Sequence, residues 1–465
     1  MKTPLLVALP LLLLTAAAHP ARHPPLPLPP PATIEQLRDA TLRDDVAFDM
    51  VEGLTTEIGQ RAAGSEAEAR ARDWAVASLR SLGFSNVHIE PSTMPIWVRG
   101  AESAEIVAPY RQKMAVTALG RSGATPPEGI TAEVVGFDDL DSLKAAAPEA
   151  VRGRIVFISH AMRAAQDGSS YGYFGPVRRN GPSIAASKGA AAVVIRSLGT
   201  DHHRIPHTGG TDWAAGVSRI AAGALSIPDA ENLQRMLKRG GKVTMHLVMT
   251  PRQLPDGPSG NVVAEVPGTD PSAGIILIGG HLDSWDLGTG AIDDAAGVAI
   301  TAAAAKRIMD AGAPRRTIRV IWFGDEETGG TGSKAYFAAH KNEKIVFVGE
   351  SDFGADRVWQ VDLALGEVNA PLAARIASLL APLGISRGKN PVEAGADLGA
   401  WVKAGVAGGD LQQDGTRYFD IHHTADDTLD KVDPAQLAQN VAAWTAMVAA
   451  VARAPEDVVG PAPAM

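Results

Sequence analysis

The sequence predicts an α/β protein with a mostly parallel central sheet flanked by helices and with a separate module inserted into it. Three observations carry that expectation. Beyond Ser259, apolar runs of strand length alternate with helix-like stretches, the pattern of a parallel sheet covered on both faces. At 465 residues the chain exceeds what one hydrophobic core usually supports. From about residue 115 to 250 a Gly- and Ala-rich stretch with few acidic clusters interrupts the pattern.

The opening residues, MKTPLLVALPLLLLTAAAHPA, place one Lys ahead of an apolar run that ends in small residues, with Ala16 and Ala18 suited to signal-peptidase cleavage. The run is too short to span a bilayer comfortably. Residues 1–18 are therefore expected to be a signal peptide that exports the chain to the periplasm or the medium, with no stable membrane insertion after cleavage. Residues 19–32 are too proline-rich for helix or sheet and form a leader. Residues 33–115 are the first part of the main fold. There Ser65 and Glu68 suggest a capping box, Trp74, Ser78 and Leu82 share a helical face, Gly83 stops the helix, and a short strand follows at 87–90. Residues 116–255 are the inserted module, with strand-like runs at 155–159 and 192–195; 256–455 complete the main fold, and 456–465 are a tail.

Composition narrows the chemistry. With 45% hydrophobic and 20% charged residues the chain reads as a globular protein, and a formal charge of -9 makes nucleic acid an improbable partner. The absence of cysteine excludes disulfides and thiolate metal sites, so any metal ligand is His, Asp or Glu.

Three strands, at 275–278, 317–323 and 344–348, are each followed by a cluster of His or acidic residues: GGHLDSWDLGTGAIDDAAG, GDEETGGTGS and GESDFG. A fourth cluster, FDIHHTADDT, precedes a last helix opened by Asp433, Pro434 and Gln436. Adjacent acids are usually solvated surface, and each cluster alone is weak. Together they fall where ligands bind in open α/β sheets, beyond the carboxyl ends of the strands. Such a His and carboxylate set suits zinc, with a bridging carboxylate between paired ions. Two histidines, three carboxylates and a bridging anion bring about four negative charges, which two zinc ions balance.

The four motifs resemble those of the carboxypeptidase Q (plasma glutamate carboxypeptidase) family, within the two-zinc aminopeptidases of metallopeptidase family 28. The likeness extends to LTTEIGQRAAGSEAEARARDWAVASLRSLGF and to PHTGG, and so covers nearly all of the mature chain. It implies a zinc aminopeptidase-like sheet and a protease-associated domain as the insert. It further implies that Asp293 bridges two zinc ions, that His281 and Asp352 complete one site, that Glu327 and His423 complete the other, and that Glu326 is the general base. Asp283 is the expected partner that orients His281. His423 is preferred to His422 because the family ligand lies four residues before the Asp of an Asp-Thr pair, here Asp427 and Thr428. By the same likeness the Asp293–Asp294 peptide is expected to be strained or cis.

The implied activity is hydrolysis of dipeptides or short peptides with a free amino terminus. Tyr418 and Asp397 are candidates for lining the pocket, His207 for reaching over it, and His202 and His203 read as a polar loop. An acidic rim would attract a substrate ammonium group. Asp325, where relatives often carry a small residue, adds negative charge beside Glu326 and is expected either to raise the proton affinity of that base or to alter what binds. The partners expected are a small peptide and, as an option, a second copy of the chain. The alternatives are a non-catalytic binding module on the same fold and a single-zinc cyclase or transferase of related architecture.

Overall fold

The protein is described here by a computed structural model covering residues 32–462; the expected signal peptide and all of the leader except Ala32 lie outside the described residues, as do residues 463–465 of the tail. The central sheet has eight strands in the order Ser85–Met94, Gly257–Val266, Thr317–Phe323, Ile275–His281, Ile345–Glu350, Ala407–Gln413, Val358–Ala364 and Ser386–Arg387. Its four inner strands, from Thr317–Phe323 to Ala407–Gln413, are parallel. On one side the next two strands run antiparallel, and on the other Val358–Ala364 does so before a last parallel pair. The sheet is thus mixed, with the expected parallel character confined mainly to its middle. There the strands are hidden on both faces: every residue of Ile345–Glu350 is buried.

Helices Ala296–Asp310 and Pro434–Arg453 cover one face, and alanine lets them lie close. Asp433 caps the second by accepting from the Ala435 and Gln436 amides, with Pro434 at its first position. The other face packs Tyr336, Leu398 and Trp401 from helices Thr331–His340 and Gly395–Lys403. Ser65 caps helix Glu66–Ser81 by accepting the Glu68 amide, but the expected box stays half formed because the Glu68 carboxylate accepts the Gly64 amide instead, and the buried face is Glu68, Ala71, Arg72, Ala75 and Leu79. The stripe of Trp74, Ser78 and Leu82 is only partly covered. The two alanines allow close approach to the core, whereas Trp74 turns aside to lie on Gly53 and donates to Glu57 at 3.1 Å.

A second eight-stranded sheet occupies the middle of the chain, in the order Gln112–Met114, Glu102–Ala108, Thr244–Met249, Ile130–Phe137, Ile155–Ile158, Ala192–Arg196, Ala221–Leu225 and Val116–Ala118. It has cores of its own on both faces. Its first strand in the chain, Glu102–Ala108, begins ahead of residue 116. Among the described residues no helix is long and apolar enough to cross a membrane.

Candidate metal centre

Three parallel inner strands end at His281, Phe323 and Glu350, and the segments beyond them carry the acidic clusters to one edge of the sheet. Asp293 lies at the centre. Its Oδ1 is 3.0 Å from His281 Nε2, and its Oδ2 is 3.2 Å from His423 Nε2. Asp352 approaches His281 Nε2 at 3.4 Å, and Glu327 approaches His423 Nε2 at 3.1 Å. One carboxylate therefore spans two histidines, each of which faces a second carboxylate. All five residues singled out from the motifs meet within one site.

Two of the buried oxygens, Asp293 Oδ2 and Glu327 Oε1, have no hydrogen-bond donor. A buried acceptor without a donor is costly unless a cation completes it. The ligand atoms of His281, Asp293 and Glu327 lie within 4.8 Å of one another, as do those of Asp293, His422 and His423. Two imidazoles and three carboxylates with oxygens left open fit divalent metal, and no thiolate is present to bias the choice toward softer ions.

The protonation preferences of the metal-free cluster follow from burial and charge. Burial pushes His423 down to about 4 even though Asp293 works against it. Burial also lowers His281, but Asp352 and hydrogen bonds to Asp283, Asp293 and Asp352 outweigh it and hold that ring well above its ordinary value. Burial raises Glu327 and Glu326 well above the carboxylate range; Asp293 adds to the first, and Asp352, Asp397 and Asp283 add to the second, against His281. Glu326 is open to the cavity on one side yet enclosed by protein on the others.

The supporting residues are mostly backbone-directed. The carboxylate of Asp283 accepts the amides of Glu326 and Glu327 at 3.1 and 3.3 Å, while His281 Nδ1 sits 2.9 Å from the Asp283 carbonyl and 3.7 Å from its carboxylate. The ring is thus oriented by the main chain of Asp283, and the side chain sets the Glu326–Glu327 turn. Asp294, joined to Asp293 by a cis peptide, accepts the His281 and Gly297 amides. Gly280 and Gly297 make room for it, since added Cβ atoms would lie 2.3 and 2.2 Å from its oxygens. Asp427 braces the loop by accepting the Ala291 and Ile292 amides at 2.7 and 2.8 Å.

Several side chains differ from expectation. Asp325 has φ of 64° and turns its carboxylate to Thr328 and Thr331 at the start of the next helix, so it serves that turn and is not among the main charges acting on Glu326. His207 is fully buried and does not line the cavity: its Nδ1 lies 2.7 Å from the His422 carbonyl and its Nε2 2.8 Å from Asp201. Asp397 lines a neighbouring cavity of about 680 Å³ that shares Glu326, and burial raises it to about 7. Tyr418 does line the main cavity, of about 480 Å³. His422 is nearer than a packed neighbour, stacked on His423 at 3.5 Å between centroids with Nε2 3.5 Å from Asp293 Oδ2. Only His423 also faces Glu327. His202 and His203 are exposed.

Two residues were not anticipated. Arg61 is wholly buried and donates to the carbonyls of Gly59, Leu282, Thr289 and Gly290, tying the loops around Asp283 and Asp293 together. Arg178, from helix Pro176–Ser187 of the second sheet's module, reaches Thr208 O and His423 Nδ1, both at 3.3 Å. The cavity wall is mixed in charge: Arg121, Arg178, Arg179 and Lys334 line it together with Asp212 and the carboxylates of the centre.

The profile of peptidase family M28 matches residues 261–448, the stretch that holds all five candidate ligands and Glu326. Bovine (Bos taurus) carboxypeptidase Q is 35% identical over 409 residues, covering 87% of this chain and 85% of that protein. This chain belongs to peptidase family M28. The crystal structure of a peptidase M28 precursor from Shewanella amazonensis SB2B is 43% identical and superposes with a TM-score of 0.89, covering 91% of this M28 metallopeptidase and 97% of that chain. An aminopeptidase from Aneurinibacillus sp. strain AM-1, 23% identical with a TM-score of 0.64 over 92% of this chain and 98% of its own, shares the fold.

Proposed function

We propose that this M28 metallopeptidase is an exported dinuclear zinc exopeptidase that releases residues from dipeptides or short peptides with a free amino terminus. The observation that carries the reading is Asp293, whose two oxygens face different histidines while Oδ2 lacks a donor. One ion would be held by His281, Asp293 and Asp352, and the other by Asp293, Glu327 and His423. The middle module, taken as a protease-associated domain spanning 116–255, closes the cavity from above, with 33–115 and 256–455 as the peptidase part. Residues 1–18 direct export, and the expected partner is a small peptide.

When bound, zinc supplies Lewis acidity that makes water a nucleophile and polarises the scissile carbonyl. Glu326 takes the proton of the attacking water on its carboxylate and gives it to the leaving nitrogen, so no covalent intermediate is needed. Asp283 holds the Glu326 amide, fixing where that carboxylate stands. Phe353, Tyr418 and Phe419 wall the cavity and limit bulk water around the reacting groups. The neutral form favoured for His423 leaves a ring nitrogen free to bind metal.

The presence of all five candidate ligands with Glu326 speaks against a non-catalytic binding module. Two zinc ions per chain, and hydrolysis of a dipeptide panel that falls at least a hundredfold in Glu326→Gln with metal retained, are expected. One zinc per chain would point to the cyclase or transferase alternative, and full activity in Glu326→Gln would remove the base assignment.

A further inference from the structure

Imidazole and carboxylate converge a second time where the edge strand Ser85–Met94 of the central sheet meets the last turn of helix Thr331–His340. His88 and Glu90 stand two residues apart on the strand and share one of its faces. Glu90 Oε1 is 3.5 Å from His88 Nε2 and 3.0 Å from His340 Nε2. The other nitrogen of each ring is already engaged. His88 Nδ1 donates to the Asn86 carbonyl at 2.7 Å, and His340 Nδ1 faces the Glu343 carboxylate. A carbonyl only accepts, so His88 carries its proton on Nδ1, and the neutral ring turns the lone pair of Nε2 toward Glu90. Two rings anchored through Nδ1, with both Nε2 atoms directed at one carboxylate, are arranged as metal-binding histidines are.

The geometry points to a further metal site formed by His88, Glu90 and His340, which takes a divalent ion of the zinc, copper and nickel class and fastens the end of helix Thr331–His340 to the sheet edge. Two imidazoles with one carboxylate suit those ions better than calcium or magnesium, which prefer oxygen throughout. The strand is shaped for the task. Its register against Gly257–Val266 shifts between Ser85 and His88, with Asn86 at φ 50°, and a bulge of that kind re-aims the side chain beside it. The His88 side chain, 42% exposed, has the freedom to close on the ion, and water completes the shell. Charge agrees: with both rings neutral, the carboxylates of Glu90, Glu265 and Glu343 outnumber the Arg319 guanidinium that pairs with the last two by the charge of one divalent ion. An ion there also lies at the carboxyl end of the helix, where the last carbonyls favour a cation. The helix has ten residues and starts just after Glu326 and Glu327. At 1.5 Å per residue it holds the cluster about 15 Å from that turn, so the site is distinct from the Asp293 centre.

The test equilibrates the full chain with a small excess of free zinc and compares zinc per chain in the parent protein, His88→Gln and His340→Gln. Each variant is expected to hold one ion fewer than the parent, or to hold the last ion at least about tenfold more weakly, while hydrolysing a dipeptide at the parent's rate. Excess zinc should raise the melting temperature of the parent and leave that of the variants unchanged. Equal zinc content and equal affinity in the parent and both variants overturn the site, however many ions the Asp293 centre holds, so this failure is separate from failure of the dinuclear reading. Where His340→Gln does not fold, His88→Gln, at an exposed position, carries the comparison. An NMR resonance of the His88 ring that stays in place as zinc is added also overturns the site, and leaves His340 as a protonated bridge between Glu90 and Glu343.

Discussion

Arg61→Met removes a buried side chain that joins the two loops of the metal centre, and its effect can be worked from the contacts. The guanidinium donates to four carbonyls at 2.7, 3.0, 2.6 and 2.9 Å, and the bonds to Leu282 and Gly290 are buried while those to Gly59 and Thr289 are partly so. Four bonds to a charged donor, at roughly 1.5 kcal/mol or more each, are worth at least ~6 kcal/mol gross. Against this stands the desolvation of a fully buried cation, several kcal/mol, partly offset by Asp427, Asp283, Asp294 and Asp293 nearby. Met fills much of the volume but satisfies none of the carbonyls, so a net loss of about 4 kcal/mol is expected. Urea unfolding of the chelated protein reads that loss directly. Zinc titration reads the second consequence, a ten- to hundredfold weaker affinity, on the order seen when groups supporting metal ligands are removed. Arg61→Met unfolding within about 1 kcal/mol of the parent, with zinc affinity changed less than threefold, would refute the reasoning.

Asp427→Asn keeps an oxygen for the Ala291 and Ile292 amides and is expected to stay within about 1 kcal/mol, whereas Asp427→Ala should lose about 2–3 kcal/mol in urea unfolding. Gly297→Ala places a Cβ 1.8 Å from the Ser351 carbonyl, a clash the backbone must absorb, so loss of at least about 3 kcal/mol or of soluble protein is expected on expression and thermal melting. Asp410, away from the metal centre, is raised by burial to about 6 although it accepts the Glu393 and Ala394 amides. Because its folded value lies above the unfolded one, its contribution is fully present below about pH 4 and is lost as pH rises through about 6, a swing of roughly 3 kcal/mol that the difference between parent and Asp410→Asn unfolding curves should display. Chelation should lower the melting temperature and weaken the Asp293 loop against proteolysis, since Asp293, Glu327 and Asp352 are left to repel one another.

What the sequence disclosed depended on whether a residue's role is written in a local pattern. Continuous apolar runs announced the inner strands because burial on both faces leaves no polar alternation, and Thr317–Phe323 ends where the run ends. The five candidate ligands were legible through the resemblance of four motifs to a known family; position alone marks only His281, Glu327 and Asp352, which lie at or just beyond the ends of parallel strands, whereas Asp293 and His423 lie farther along the chain. Arg61 was not, although it lies in the quoted QRAAGS segment: its partners are main-chain carbonyls of residues 59, 282, 289 and 290, and carbonyls have no sequence signature. The stripe of Trp74, Ser78 and Leu82 does share a helical face, yet spacing alone did not tell which face is buried: Ala71 and Ala75 make the close approach to the core, and Trp74 covers Gly53.

The sign of the cavity was hidden by distance along the chain. The acidic motifs are conspicuous in sequence, yet their carboxylates point at one another and at two histidines, leaving little negative potential for a substrate once metal is bound. The cations of the cavity wall come from separate places: Arg121 and Arg179 from the middle module, Lys334 from the helix after Glu327. That module also fixes the second histidine, through Thr208 N on the His423 carbonyl at 2.9 Å and His207 on the His422 carbonyl. The cavity wall and the geometry of the second histidine are thereby coupled through one module. A change that shifts the module shifts His423 with it, so His207→Ala should weaken zinc affinity about tenfold in a titration against the parent protein, and an affinity changed less than threefold would show that the module does not hold that ligand.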